Sequence, residues 1–327
     1  MKKAEKIRSQ IDRLEEKYRD SGQDLGSYLD GLLYQRYLTY WDYIHLDTLL
    51  SLQVPRTHYP DEEVFIMYHQ ITELHFKLII HEQRQLVEDS SGNLDFFIER
   101  LRRINSYFQA LINSFGIMIK GMEREQFMRY RMALLPASGF QSAQYRMIEL
   151  YATPLENLLH PGLRGIDSAS DSLEDRFDRM YWKQGATDRI TGGKTLTLKQ
   201  FEQRYTPRFL RIAKEVGGRT IYDKYLKLPE GDRYNELLIK TLRELDLNAN
   251  VNWPLMHLGS AYRYLHRENR EVESTGGTNW KEFLPPSFQK VIFFPTLYTE
   301  EEREQWGKQW VDHILNPTSV EYKEYSQ

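Results

Sequence analysis

The chain has 327 residues, enough for a core that encloses a cofactor, and its 40% hydrophobic and 28% charged residues are typical of a folded globular protein. A formal net charge of −3, without a long block of Lys or Arg, argues against a nucleic-acid partner. The chain contains no cysteine, which excludes disulfides, iron–sulfur clusters, thiolate-ligated heme and cysteine nucleophiles, so a bound metal must use His or carboxylate ligands.

The amino-terminal segment is charged and amphipathic. Its first 20 residues contain no apolar stretch like that of a signal peptide, and the apolar runs elsewhere are too short to cross a membrane. We therefore expect a cytoplasmic protein without a membrane segment. Ile7, Ile11, Leu14 and Tyr18 recur at helical spacing, which predicts an amphipathic helix whose apolar stripe needs a partner, such as another subunit.

Two helical segments are expected next. Residues 37–53 are rich in Tyr and Leu and form a short helical segment that ends before Pro55, because the residue before a proline disfavours helical backbone. Pro60 is followed by three acidic residues, which complement the dipole at the start of a helix. This signal predicts a long helix over residues 63–87.

Helical periodicity continues through the rest of the chain. Apolar residues spaced by three and four predict another long helix from Ile98 through Met118 that extends toward Met132. Further helices are expected at residues 141–150, 198–216, 234–245 and 251–270. We find no convincing alternation typical of strands, no internal repeat and no linker, so the sequence predicts a mainly α protein with one large domain.

Histidines are the natural metal ligands of a chain without cysteine. The nine are His45, His58, His69, His75, His81, His160, His257, His266 and His313. His69, His75 and His81 lie six residues apart, which turns each side chain away from the last on a helix, so they do not share a metal-binding face. His257 follows Trp253 by four residues in an apolar helix and could present its imidazole to a heme iron. By spacing alone, His69 and His257 fit packed histidines at least as well.

Two polar features are candidates for binding a small charged group. Arg131 follows several aromatic residues and precedes a Pro-Ala-Ser-Gly turn, where its guanidinium could clamp a substrate carboxylate. Thr275 begins a Thr-Gly-Gly-Thr segment that offers hydroxyls and backbone N–H groups. The alternative interpretations are a solvated arginine and an ordinary loop.

Long stretches of the sequence carry a family resemblance. They are LTYWDYIHLDTLLSLQ, DEEVFIMYHQITELHFKLIIHE and FMRYRMALLPASGFQSAQYRMIE within residues 38–149, followed by WPLMHL, STGG and FFP between residues 253 and 295. In this order they resemble the tryptophan 2,3-dioxygenase family, and PASGFQS at residues 136–142 is the most specific motif. The likeness is faint between residues 151 and 250.

The resemblance implies roles for individual residues. His257 matches the proximal ligand of the heme iron, and His69 matches the catalytic distal histidine that contacts the indole N–H of the substrate. The other positions implied in substrate binding are Phe65, Phe127, Arg131, which pairs with the tryptophan carboxylate, Thr275, which contacts its amino-acid end, and Tyr40 and Tyr43. Gly139 and Phe140 are assigned to cofactor binding.

The resemblance also implies a fold and an activity. We expect a single large helical-bundle domain over residues 38–327 that encloses heme b, preceded by an N-terminal helical extension, residues 1–37, for oligomer contacts. The expected assembly is a homotetramer in which Tyr40, Tyr43 and Ile44 reach a neighbouring subunit. The expected reaction joins L-tryptophan and O2 to give N-formylkynurenine, the first step of tryptophan catabolism by the kynurenine pathway, without a nucleic-acid or membrane partner.

Three departures from the family pattern keep alternatives open. His75 stands where the family usually has Trp, residues 278–280 replace its usual Ser-Ser-Gly, and more residues separate His257 from Thr275. A heme-dependent monooxygenase or peroxygenase that acts on another aromatic amino acid or indole derivative is one alternative. A non-enzymatic helical interaction protein is the other, and the amphipathic N-terminal helix would suit it.

Overall fold

The computed structural model describes residues 2–19, 22, 24–35, 39–134, 141–165, 171–186, 193–265 and 284–308. Within these ranges the chain forms helices and no β-strand, and an isolated bridge pairs Leu159 with Met180. The predicted mainly α class is therefore confirmed. None of the helices in this part of the chain combines the length and apolarity needed to cross a lipid bilayer.

The chain divides into two compact units, residues 1–53 and 54–327. The described helices of the first unit are α1 (Lys2–Arg19), α2 (Leu25–Tyr34), α3 (Tyr40–Tyr43) and α4 (Leu46–Leu49). The helical segment predicted at residues 37–53 is thus two short helices, and His45 between them has a left-handed backbone with φ of 52°. The functional division after residue 37 stays a prediction.

The second unit contains the longer helices. They are α5 (Asp61–Glu88), α6 (Leu94–Ser114), α7 (Gly116–Lys120), α8 (Arg124–Tyr130), α9 (Ala143–Ala152), α10 (Leu173–Asp178), α11 (Leu196–Val216), α12 (Ile221–Lys227), α13 (Glu230–Arg233), α14 (Glu236–Leu247), α15 (Trp253–Leu265), α16 (Pro286–Gln289) and α17 (Glu300–Glu304). A π-turn, Asn248–Asn252, joins α14 directly to α15.

The core of the second unit lies around α5, which packs against both α6 and α9, while α14 packs on α6 and α11 on α9. Phe76 and Ile79 of α5 and Leu101 and Phe108 of α6 are almost completely buried. Each such side chain contributes roughly 1.5–3 kcal/mol when it leaves water. This packing holds α5 in place and thereby fixes the positions of the side chains that it carries.

The predicted continuation of one helix from Ile98 toward Met132 is wrong. The helix ends at Ser114, and α7 and α8 follow as separate short helices. At Gly121, between them, a Cβ atom would lie 2.6 Å from the carbonyl oxygen of Ile117, so the chain can turn this closely only with glycine. Because the helix is interrupted after Ser114 and at Gly121, α8 can pack against α5.

Candidate functional site

His69 lies in the first half of α5 with its ring orientation fixed by the helix itself. Its Nδ1 is 2.7 Å from the carbonyl oxygen of Phe65, four residues earlier. A carbonyl oxygen can only accept, so Nδ1 carries the proton of the neutral ring and Nε2 presents a lone pair. The ring centroids of Phe65 and His69 are 4.0 Å apart, which limits rotation of the imidazole.

His257 has the same arrangement on α15. Its Nδ1 is 3.1 Å from the carbonyl oxygen of Trp253, again four residues earlier. Loss of hydration among the surrounding apolar groups lowers the pKa of His257 to about 4, so the imidazole is neutral near pH 7. A neutral ring whose Nδ1–H is held by a carbonyl offers Nε2 to a metal, which is the usual state of a histidine ligand.

The two imidazoles lie within electrostatic reach of each other. After desolvation, a charge on His69 is the further factor that lowers the pKa of His257. Phe115, at the junction of α6 and α7, has its ring centroid 4.8 Å from that of His257 and 5.7 Å from that of Tyr68, which in turn lies 6.3 Å from His69. Helices distant in sequence therefore converge on one site.

The surroundings of His69 favour its neutral imidazole. The residue is accessible to solvent, yet desolvation by the surrounding protein lowers the pKa of its imidazole, more than the Phe65 carbonyl and the Glu73 carboxylate raise it. The neutral form of His69 is therefore favoured, and it can accept a hydrogen bond at Nε2.

Aromatic residues from α5 and α8 form a wall next to His69. The ring centroids of Phe65 and Phe127 are 6.5 Å apart, and Tyr130 contacts both rings at 6.0 Å and 5.6 Å. Phe127 also packs against Tyr264 of α15 at 4.6 Å. The structure thus brings together Phe65, His69 and Phe127 and connects them to the helix that carries His257.

Arg131 directly follows Tyr130 at the end of α8 and is only 4% exposed. Desolvation lowers the pKa of its guanidinium, which remains a cation at any physiological pH because arginine starts so high. The position of α8 depends on Asp61, whose carboxylate accepts the N–H of Glu123 at 2.6 Å while its own N–H donates to Gln126 at 3.2 Å. The start of α5 therefore holds the helix that leads to Arg131.

Five predicted site residues lie either in the first unit or outside the described residues. Tyr40 and Tyr43 lie on α3 of the first unit, with 71% and 74% of their surface exposed. Gly139, Phe140 and Thr275 lie outside the described residues. The roles assigned to these five residues stay predictions.

Sequence reasoning missed Glu73, which links α5 to the segment after PASGFQ. Its carboxylate accepts hydrogen bonds from the hydroxyl of Ser142 at 2.7 Å and from the side-chain amide of Gln144 at 2.8 Å. Ser142 is also the N-cap of α9. Glu73 lies four residues after His69, so the rule that helical residues four apart share a face would have identified it.

Comparison with known proteins identifies the family of this chain. A family model described as tryptophan 2,3-dioxygenase matches residues 32–155, a range that includes His69 and Arg131. Tryptophan 2,3-dioxygenase of Herpetosiphon aurantiacus is 40% identical over 275 residues, covering 80% of this chain and 96% of that protein. The protein of the same name from Polaromonas naphthalenivorans is 35% identical over 277 residues, covering 81% of this chain and 91% of that protein. The chain belongs to the tryptophan 2,3-dioxygenase family.

Proposed function

We propose that this protein is a heme-dependent dioxygenase, an oxidoreductase that converts L-tryptophan and O2 to N-formylkynurenine. The proposal rests on two neutral imidazoles, His69 of α5 and His257 of α15, which lie within electrostatic reach of each other. In each ring a helix carbonyl accepts the Nδ1–H, and Nε2 stays unprotonated. The relatives named tryptophan 2,3-dioxygenase support the substrate and the reaction.

The residues around His257 fit a heme b. The imidazole is neutral, its Nδ1–H is held by Trp253, and the rings of Trp253 and Phe115 pack edge-on against it at 4.6 Å and 4.8 Å. These contacts fix the plane of the imidazole that would bind the heme iron, and the apolar surroundings would suit a porphyrin. When bound, the heme supplies the iron chemistry through which O2 reacts with the indole double bond.

His69 and the aromatic wall would orient the indole. The lone pair on Nε2 of His69 accepts the indole N–H, a neutral hydrogen bond worth about 1 kcal/mol. Phe65 and Phe127 cover the apolar ring and keep water from its face. The protein's part in the reaction is mainly to bring the substrate into one orientation, from which both oxygen atoms enter the product and no external reductant is consumed.

Arg131 would bind the amino-acid end of the substrate. Its buried guanidinium can form two parallel hydrogen bonds with a carboxylate, each of the charge-assisted kind worth roughly 1.5–3 kcal/mol. Such a pair favours an amino acid over indole or an amine without a carboxylate. The proposal includes the predicted contact between Thr275 and the same end of the substrate.

The predicted homotetramer is supported by the first unit. Leu33, Tyr34, Tyr40 and Tyr43 each expose more than two thirds of their surface. Exposed large apolar side chains are a feature of surfaces that another chain covers. Light scattering of the full chain, compared with the Tyr40→Ser and Tyr43→Ser variants, tests this assembly.

One experiment tests the activity. The protein is reconstituted with hemin, reduced, titrated with L-tryptophan under anaerobic conditions and then exposed to O2. We expect a heme absorption band and a product that carries two added oxygen atoms. A product with one added oxygen would favour a monooxygenase, and failure to retain hemin would favour a non-enzymatic helical protein.

A further inference from the structure

The helix that carries His257 starts from a π-turn. The N–H of Trp253 donates to the carbonyl oxygen of Asn248, five residues back, where an α-helix would use a partner four residues back. A π-turn places one extra residue in the helix, which rotates everything after it by about 100° relative to an uninterrupted α-helix. The direction in which His257 points therefore depends on this turn.

The next bond of the π-turn has no backbone donor. In the same register, residue 254 would donate to the carbonyl oxygen of Ala249, but residue 254 is proline and has no N–H. Ala249 is completely buried, so water cannot satisfy its carbonyl oxygen. The π-turn, which sets the direction of α15, therefore contains one backbone carbonyl whose hydrogen-bond donor must come from another part of the fold.

Tyr145 of α9 supplies that partner. Its hydroxyl donates to the Ala249 carbonyl oxygen at 2.7 Å. Burial raises the pKa of Tyr145, so the hydroxyl keeps its proton and remains a donor. The ring is held between Phe76, at 5.5 Å, and the guanidinium of Arg146, 4.8 Å from the ring centroid. The donor is therefore fixed in place by its own neighbours.

Three further side-chain hydrogen bonds involve residues of the turn. Asn250 donates to Asp246 at 2.7 Å and Asn252 donates to Asn248 at 3.1 Å, both within the same continuous helix. Asn248 also donates to Asn105 of α6 at 3.4 Å, a bond between two side chains. The Tyr145 bond differs because it crosses from α9 and ends on a backbone carbonyl of the turn. It connects the turn to the part of the bundle that also packs against α5, the helix of His69.

We propose that Tyr145 is a positioning residue for His257: its hydroxyl replaces the N–H that Pro254 lacks and so holds the π-turn from which α15 takes its direction. This inference rests on the proposed function, because His257 matters in this way only as the axial ligand of a heme. Tyr145 does not touch the substrate or the reacting atoms, and it acts through the geometry of the ligand.

The test uses four variants of the heme-loaded full chain: Tyr145→Phe, Pro254→Ala, the double variant, and Tyr222→Phe as a matched control. Tyr222 is a buried tyrosine whose hydroxyl donates to Thr296 at 3.1 Å, outside the π-turn. The two measurements are the iron–histidine stretching frequency of the ferrous protein, by resonance Raman spectroscopy, and the rate of heme loss to a scavenging apoprotein.

We expect Tyr145→Phe to shift the iron–histidine frequency and to speed heme loss by about tenfold, the effect of leaving one buried carbonyl unsatisfied. Tyr222→Phe should leave both measurements unchanged. In the Pro254→Ala background, the new N–H at residue 254 can donate to Ala249, so adding Tyr145→Phe should change the rate by less than about twofold.

Two results would overturn the inference. One is an unchanged frequency and rate in Tyr145→Phe, and the other is an equal effect of Tyr145→Phe with and without Pro254→Ala. If Tyr145→Phe alone does not fold, the double variant must recover folding and heme retention, and failure to recover also rejects the inference. Failure of the proposed function is recognised separately, because the unsubstituted protein would then lack histidine-ligated heme.

Discussion

His69 and His257 are arranged as counterparts on two different helices: in each, Nδ1 bonds to the carbonyl oxygen four residues earlier, and in each the neutral ring keeps an unprotonated Nε2. The two residues differ in what surrounds them. His257 packs between Trp253 and Phe115, whereas His69 is accessible and stacks on Phe65. The surroundings of His257 suit a metal ligand, and those of His69 suit a contact with the substrate. We therefore expect variants of the two residues to behave differently.

Replacing His257 should weaken heme retention. His257→Ala removes the Nε2 that would bind iron, and we expect at least about a tenfold loss of hemin affinity, since even the partners of a ligand contribute tenfold or more. Hemin titration followed by absorption spectroscopy measures this change. His81→Ala is the control, because His81 is an exposed histidine on α5. Normal heme content and turnover in His257→Ala would refute the assignment.

Replacing His69 should weaken catalysis without removing heme. His69→Ala loses one neutral hydrogen bond to the indole, so kcat/KM should fall by about fivefold, equivalent to ~1 kcal/mol. Steady-state kinetics and heme content are measured on the same preparation. Loss of heme in this variant would place His69 in cofactor binding instead of substrate binding.

Activity should decline in acid because of His69. Desolvation places the pKa of His69 below its ordinary value of 6.5, so the imidazole is neutral at pH 7 and gains a proton only as the pH falls below 6.5. A protonated Nε2 cannot accept the indole N–H. We expect kcat/KM to decrease on this acid side and the corresponding decrease to be absent from His69→Ala. The same acid profile in both proteins would contradict a role for His69.

Replacing Arg131 should impair recognition of the substrate carboxylate. Arg131→Met removes a charge-assisted pair worth roughly 1.5–3 kcal/mol, so kcat/KM for L-tryptophan should fall by about 10- to 150-fold. Tryptamine, which has no carboxylate, should be affected much less. Arg129→Met on the same helix α8 is the control, because Arg129 is exposed. Equal losses for both substrates would show that Arg131 acts on the fold and not on the carboxylate.

Asp246 should make stability decrease with rising pH. Burial raises its pKa from 3.8 to about 7, although its carboxylate accepts the N–H groups of Phe293 and Phe294 at 2.8 Å and 3.1 Å. A carboxyl whose pKa is raised by folding stabilises the folded state fully below pH 3.8, and this contribution is lost as the pH rises through about 7.

The comparison with Asp246→Asn isolates this effect. The free energy of unfolding of the original protein, relative to the variant, should decrease between pH 4 and pH 7 by at most roughly 4 kcal/mol. Urea unfolding of both apoproteins at several pH values measures the difference. A difference that is independent of pH would show that Asp246 has the same pKa in the folded and unfolded states.

Local sequence patterns determined most of the helices. The helix predicted at residues 63–87 is Asp61–Glu88, because acidic residues at its start and a repeating apolar face are both local signals. The breaks at Ser114 and Gly121 were not predicted, since the apolar spacing continues through them. The candidate site was identified mostly by resemblance, because a histidine in an apolar helix has the same local pattern whether it is packed or functional.

The sequence by itself determined the helical class, the position of α5 and the residue types available for a heme and an amino acid. The tertiary structure alone decided that His69 and His257 share one site, that Glu73 holds Ser142, and that the π-turn before Trp253 is completed by Tyr145. The physical reason is the range of the interactions. Helix formation depends on neighbours within one or two turns, whereas these contacts join residues from helices that only packing of the core brings together.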